Sequence, residues 1–206
     1  MTSTMRIERA RRNFTDESNR YDAKRDRLVM CARRLGEEGD AGKVSVTDVT
    51  SAMGITRGLF YYYFGGKDEL SQAVADTYVY DLEVAINKAL SDEKTREESV
   101  CAIVEAVLNW LYDAEGNERP MLHVLSEIGL SDYAWTSAAD MLTYVIVRKS
   151  LLTDYGRHGE EALVERARFI ALGIVGEGRL NATAPVDVMA DAVCSALRYR
   201  KRGKVS

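Results

Sequence analysis

The sequence predicts an all-helical protein, and three observations lead there. Two prolines occur in 206 residues, while Ala, Leu, Glu and Arg are plentiful. Apolar residues recur at three- and four-residue spacing along most of the chain. Short polar or glycine-containing breaks separate these runs. A chain of 206 residues can bury a real core, as one large domain or two small ones. We divide it into a small three-helix domain, residues 1–66, containing a helix-turn-helix, and a larger helical domain, residues 67–206.

Residues 1–20 contain Arg6, Arg9, Arg11, Arg12 and Arg20 among few apolar residues. Two readings stay open: a solvated, frayed terminus, or a basic arm that reaches DNA phosphates or the minor groove. A first helix is expected to start between Thr15 and Asn19 and to end at Gly39. Tyr21, Leu28, Val29, Cys31, Ala32 and Leu35 form its apolar face. Asp40 to Lys43 reads as a polar loop.

The informative stretch is Ser45 to Leu70, SVTDVTSAMGITRGLFYYYFGGKDEL. Ser45 is an N-cap residue, and Val46, Val49 and Met53 follow at helical spacing with Ala52 beside them. Gly54 ends that helix by taking the left-handed conformation. Thr56 caps a second helix two residues later. Phe60 and Phe64, four apart, point inward. Two short helices joined this tightly make a helix-turn-helix, whose second helix enters a DNA major groove. Its outward face carries Arg57, Gly58, Leu59, Tyr61 and Tyr62, a composition suited to a groove wall rather than to bulk water.

These residues resemble the DNA-binding domain of TetR-type (TetR/AcrR) transcriptional regulators. The resemblance rests on Ala52, Gly54, Gly58, Tyr61, Tyr63, Phe64, Lys67 and Leu70, preceded by a helix ending in Glu38-Gly39. It covers about the first third of the chain. It implies a DNA-binding repressor, with Ser45, Thr56, Arg57, Gly58, Leu59, Tyr61, Tyr62, Tyr63 and Lys67 at the DNA. One departure is Gly36, where the family commonly has a large aromatic; a hole in the core or an early helix end is expected there.

Charge supports a localised DNA face. Net charge is −4, yet residues 1–70 carry 13 Lys and Arg against 11 Asp and Glu, and the rest 15 against 21. Lys67 opens the next helix, expected to run to about Ser91, where a phosphate contact competes with pairing to Asp68 or Glu69. Leu70, Val74, Thr77, Tyr78 and Leu82 make its apolar stripe. It begins in the first domain and ends in the second, so it can act as a lever.

Five more helices are expected, at about 96–114, 120–130, 132–155, 160–182 and 185–201. Breaks fall at Ser91–Glu97, Gly116-Asn117, Gly156/Gly159 and Thr183-Ala184-Pro185. Trp110, Met121, His123, Glu127, Trp135, Met141, Tyr144 and Phe169 are aromatic, methionine and polar groups at otherwise apolar helical positions. They read either as the lining of a small-molecule cavity or as core. His123 and Glu127 lie one turn apart, without a nucleophile or metal set beside them. Gly173 and Gly176 mark close helix packing. Val186, Met189, Val193 and Leu197 form a stripe on the last helix. The resemblance implies that these two helices pair with a second subunit in a four-helix bundle, giving a homodimer on a palindromic, double-stranded operator.

Other classes recede. No apolar run has transmembrane length, and the N-terminus is polar, so no membrane partner and a cytoplasmic location are expected. Cys31, Cys101 and Cys194 are scattered and odd in number, so they read as small buried hydrophobes without disulfide, metal or cofactor roles. Two rivals remain: a helix-turn-helix DNA binder without an effector, and, ranked last, a helical enzyme using His123 and Glu127.

Overall fold

A computed structural model describes residues 22–90, 95–149, 151, 159–180 and 185–197. Among them are nine helices: α1 (Asp22–Glu38), α2 (Val46–Met53), α3 (Arg57–Tyr63), α4 (Lys67–Ala89), α5 (Arg96–Leu111), α6 (Pro120–Glu127), α7 (Ser131–Arg148), α8 (Gly159–Leu180) and α9 (Val186–Leu197). There is no sheet among the described residues; an isolated bridge joins Tyr112 to Glu118. The possible basic arm, residues 1–20, lies outside the described residues.

Local chemistry sets most helix ends. Thr95 and Glu98 form a capping box at the start of α5, with both reciprocal hydrogen bonds made. Pro120 occupies the first turn of α6, where its missing N–H costs nothing. Several helices end earlier than periodicity alone suggests. α5 stops at Leu111 because Asp113 turns the chain, accepting hydrogen bonds from the N–H groups of Glu115 and Asn117 at 3.0 and 2.8 Å. α6 stops at Glu127, ahead of the positive-φ Gly129, and α7 ends at Arg148.

α4 is the longest helix among the described residues and connects the two halves. Leu70, Val74, Tyr78, Leu82 and Ile86 are buried at near-four-residue spacing along it. It packs on α1 at one end and on α5 and α7 further along. α8 lies along α7, and α9 covers α5. The core continues through both halves, from Leu28 and Phe60 to Leu142 and Ile174. Fully burying each such side chain contributes about 1.5–3 kcal/mol.

Gly36 brings one correction: α1 does not end there but runs on to Glu38. A Cβ on Gly36 would lie 3.2 Å from Ala41 Cβ and 3.5 Å from a Val124 methyl. The space an aromatic would need is occupied by Ala41 and by α6. What is left beside it, bounded also by Ala32, Val44 and Leu70, is a cavity of about 30 Å³, about one water in size. Cys31 and Cys194 are buried as expected, but Cys101 is half-buried; all three are free thiols.

Candidate DNA-binding surface

α2 and α3 are set by their caps. Ser45 Oγ accepts from the Asp48 N–H at 3.2 Å, and Asp48 returns the bond to the Ser45 N–H at 2.8 Å. The Ser45 hydroxyl and N–H together hold the Asp48 carboxyl below the usual carboxylate range. Gly54, at φ 61°, closes α2 in the left-handed conformation, its N–H reaching the carbonyls of Ser51 and Thr50. The Ile55 N–H also returns to Thr50, at 3.0 Å. Thr56 then caps α3 by accepting from the Leu59 N–H at 3.2 Å.

Burial divides α3 in two. Phe60 and Phe64 are fully buried, their ring centroids 5.6 Å apart. Arg25 of α1 lies over the Phe64 ring at 4.8 Å. Opposite them, Tyr61 and Tyr62 are 55% and 61% exposed, large values for aromatic rings with a core beside them. Arg57 and Gly58 are exposed too, Leu59 and Tyr63 half-buried. Ala52, expected on the inner side of α2, is exposed, because only Val49 and Thr50 of that helix are fully covered.

Two cations on this surface are held in place. Arg57 Nη2 donates to Thr47 Oγ1 at 2.5 Å, joining the start of α3 to α2. Lys67 Nζ donates to the Gly42 carbonyl at 2.7 Å, so it pairs with neither Asp68 nor Glu69. Glu69 instead accepts from the Gly65 N–H at 2.7 Å. Thr47 is exposed and absent from the sequence reading. Its partnership follows from how α2 and α3 cross, which spacing within either helix does not reveal.

A family model described as bacterial regulatory proteins, tetR family, matches residues 29–74, which span α2, α3 and this surface. Over residues 29–74 the chain is similar to the TetR family of bacterial regulators. A relative from Brucella anthropi, the HTH-type transcriptional regulator BetI, is 28% identical over 81 residues. That match covers 39% of this chain and 41% of the relative, so it spans under half of each. Among solved structures, RolR in complex with resorcinol matches with TM-score 0.53 and 16% identity, over 84% of this chain and 87% of its own. A TetR-family transcriptional regulator from Pectobacterium atrosepticum matches with TM-score 0.52 and 17% identity, over 87% and 94%. These likenesses extend the TetR fold through the helical second half.

That half of the chain distributes the eight expected pocket residues unevenly. Trp110 and Met121 line one cleft. Trp135 and Met141 are buried in the core, Trp135 edge-on to Trp110 at 5.7 Å and covered by Arg179 at 4.5 Å. Tyr144 is half-buried with Arg148 over its ring. His123 and Glu127 are exposed, and Phe169 is 78% exposed. These last six do not line that cleft. The cause is rotational: α6 turns Met121, Val124 and Leu125 inward, which puts His123 and Glu127 outside. Glu127 lies against the loop before α2, its Oε2 2.9 Å from where a Cβ on Gly42 would sit.

On α9, where a dimer stripe is expected, Met189 is buried, and Val186 and Val193 are half-buried and packed against the chain's own core. The side chain of Leu197 lies outside the described residues. Gly173 and Gly176 do face outward, since a Cβ on either would meet nothing within 4 Å. The outer faces carry Phe169, Leu172 and Leu180 on α8 and Val188 on α9, all exposed. Among the described residues, no helix is long and apolar enough to cross a membrane, and no group of His, Cys, Asp or Glu forms a metal site.

Proposed function

We propose that this chain is a cytoplasmic transcriptional repressor of the TetR type that binds a palindromic operator as a homodimer and is released by a small molecule. The observation that carries the reading is the two-sided α3. Phe60 and Phe64 lock it to the domain while Arg57, Gly58, Tyr61 and Tyr62 are exposed on the opposite face. Gly58 lets the backbone approach a groove wall, the tyrosine edges supply apolar and hydroxyl contacts, and Arg57 can fork onto a guanine edge. Lys67 and the N-terminus of α4 sit beside α3 for a phosphate.

The homodimer would form through the outer stripe of α8 and α9. Phe169, Leu172, Gly173, Gly176, Leu180 and Val188 form an apolar surface of the kind that marks a partner site. Two small residues in it allow close helix approach. A two-fold pair would present two α3 helices to successive half-sites.

Selection of operator sequences from a random DNA pool, followed by footprinting, tests the function. Enrichment of an inverted repeat protected on one DNA face is expected. Recovery of no sequence above background, at low salt as well as physiological salt, would refute it. A second reading, DNA binding without an effector, is favoured by one observation: Trp135 and Met141 are packed among core residues rather than around an empty cavity. An enzymatic reading would rest on His123 and Glu127, which are exposed side chains on α6.

A further inference from the structure

α1, α4, α5 and the start of α6 enclose a cleft of about 830 Å³ at the junction of the two domains. This is within the size range of small-molecule sites. Its apolar lining consists of Ala85 and Ala89 on α4, Ala102 and Ala106 on α5, and Trp110 and Met121. The Trp110 Nε1–H is already used, donating to the Tyr78 carbonyl at 2.8 Å. This lining therefore offers ring and methyl surface and no donor.

The polar end is Arg119. Its Nε donates to the carbonyls of Asn109 and Tyr112 at 2.6 and 3.1 Å, which fixes the guanidinium over the last turn of α5. Among the described residues no carboxylate forms an ion pair with it. Its terminal nitrogens remain, in the fork geometry that matches a carboxylate. Arg33, also in the cleft, is committed to Glu37, Thr77 and Asp81. Glu105 stands on the same α5 face as Ala102 and Ala106 and adds a negative charge to the cleft. That charge disfavours a ligand with a second acidic group.

We propose that this cleft binds a small aromatic or alicyclic monocarboxylate, its ring against the alanines and Trp110 and its carboxylate on Arg119. The proposal rests on the reading that a small molecule releases the operator, and it places the effector in contact with the DNA-binding domain itself. Arg33 and Glu37 belong to α1, and Pro120 and Met121 open α6. The other end of α6 presses Val124 against Gly36 and Glu127 against Gly42. A ligand that moves the start of α6 therefore acts on both α1 and the loop before α2.

The test uses the full-length, 15N-labelled protein, with benzoate and cyclohexanecarboxylate as probes and benzyl alcohol as the uncharged control. Its two tryptophans give two indole N–H signals, assigned with Trp135→Phe. The Trp110 signal is expected to shift saturably with both carboxylates and at least tenfold more weakly with the alcohol. Arg119→Gln should weaken the carboxylates at least tenfold. Ala85→Phe, which fills the cleft from an exposed position on α4, should abolish the shift while circular dichroism stays unchanged. The proposal is overturned if neither carboxylate binds at millimolar concentration, if the alcohol binds as well, or if a folded Ala85→Phe still responds. Operator affinity, measured separately with and without benzoate, distinguishes the two readings. Arg119-dependent binding that leaves operator affinity unchanged keeps the cleft site and sinks ligand release. Release of operator by other molecules, with no carboxylate binding, does the reverse.

Discussion

Arg33 joins the DNA-binding domain to α4, and its removal is expected to loosen that joint by a measurable amount. Its Nε donates to Glu37 at 2.9 Å, and Nη1 donates to Asp81 at 2.7 Å and to Thr77 at 3.3 Å. The guanidinium also lies 4.2 Å above the Tyr78 ring. Burial works against the charge, but the bonds to Glu37 and Asp81 outweigh it and raise the Arg33 pKa. The Arg33 side chain is 18% exposed and that of Asp81 49%, so the pair ranks between a surface ion pair and a buried one. Surface pairs contribute about 0.2–1 kcal/mol and hydrogen bonds to charged groups about 1.5–3 kcal/mol. Discounting for the exposed carboxylate leaves about 1 kcal/mol for Arg33–Asp81 alone. Adding Glu37 and about 0.5–1 kcal/mol for the ring brings the loss in Arg33→Met to about 2–3 kcal/mol. Urea unfolding of Arg33→Met, Asp81→Asn and the double variant isolates the pair as a coupling energy. A coupling below about 0.3 kcal/mol would mean the joint is held by apolar packing alone, and the argument for Arg33 would fail.

Three further predictions concern the DNA, the partner and acidity. Arg57→Ala should cost about 1–3 kcal/mol of operator affinity and relax preference at one base pair per half-site, whereas Lys67→Ala should weaken all sequences alike; an unchanged preference in a base-substitution series would remove Arg57 as a reader. Phe169→Asp puts a charge on the exposed face of α8 and should yield monomers in sedimentation without loss of helicity; an unchanged dimer would show that a different surface is used. Asp76 is pushed above its ordinary 3.8 mainly by burial, against the opposing hydrogen bond from Tyr133 at 2.5 Å. A carboxyl that holds its proton more tightly when folded costs stability above its raised pKa, and that cost fades as pH falls toward 3.8. Asp76→Asn should therefore raise the urea midpoint at pH 7 and lose that advantage near pH 4; a midpoint lowered at both pH values would refute this account.

What the sequence determined by itself is local. Ser45, Gly54 and Thr56 fix the ends of α2 and α3 because caps act within a few residues of where they stand. Phe60 and Phe64 fix which side of α3 is inside, because four-residue spacing decides a face whatever lies against it. From those two facts the outward set of Arg57, Gly58, Tyr61 and Tyr62 follows directly. Tertiary structure decided what depends on which helix packs where. Val186, Met189 and Val193 form an apolar stripe, but periodicity does not say how much of such a stripe meets its own chain; the packing of α9 puts Met189 in the core and leaves Val186 and Val193 half-buried against it. Glu127 sits at helical spacing from His123, yet the turn of α6 sends it to Gly42 in the loop before α2. Gly36 looked like a missing aromatic until Val124, far along the chain, proved to occupy the space. The Arg33–Asp81 joint spans 48 positions in sequence, and Arg119 is useful only because α5 ends beneath it. Spacing encodes faces and ends; the partner of each face is settled by the packing of the whole.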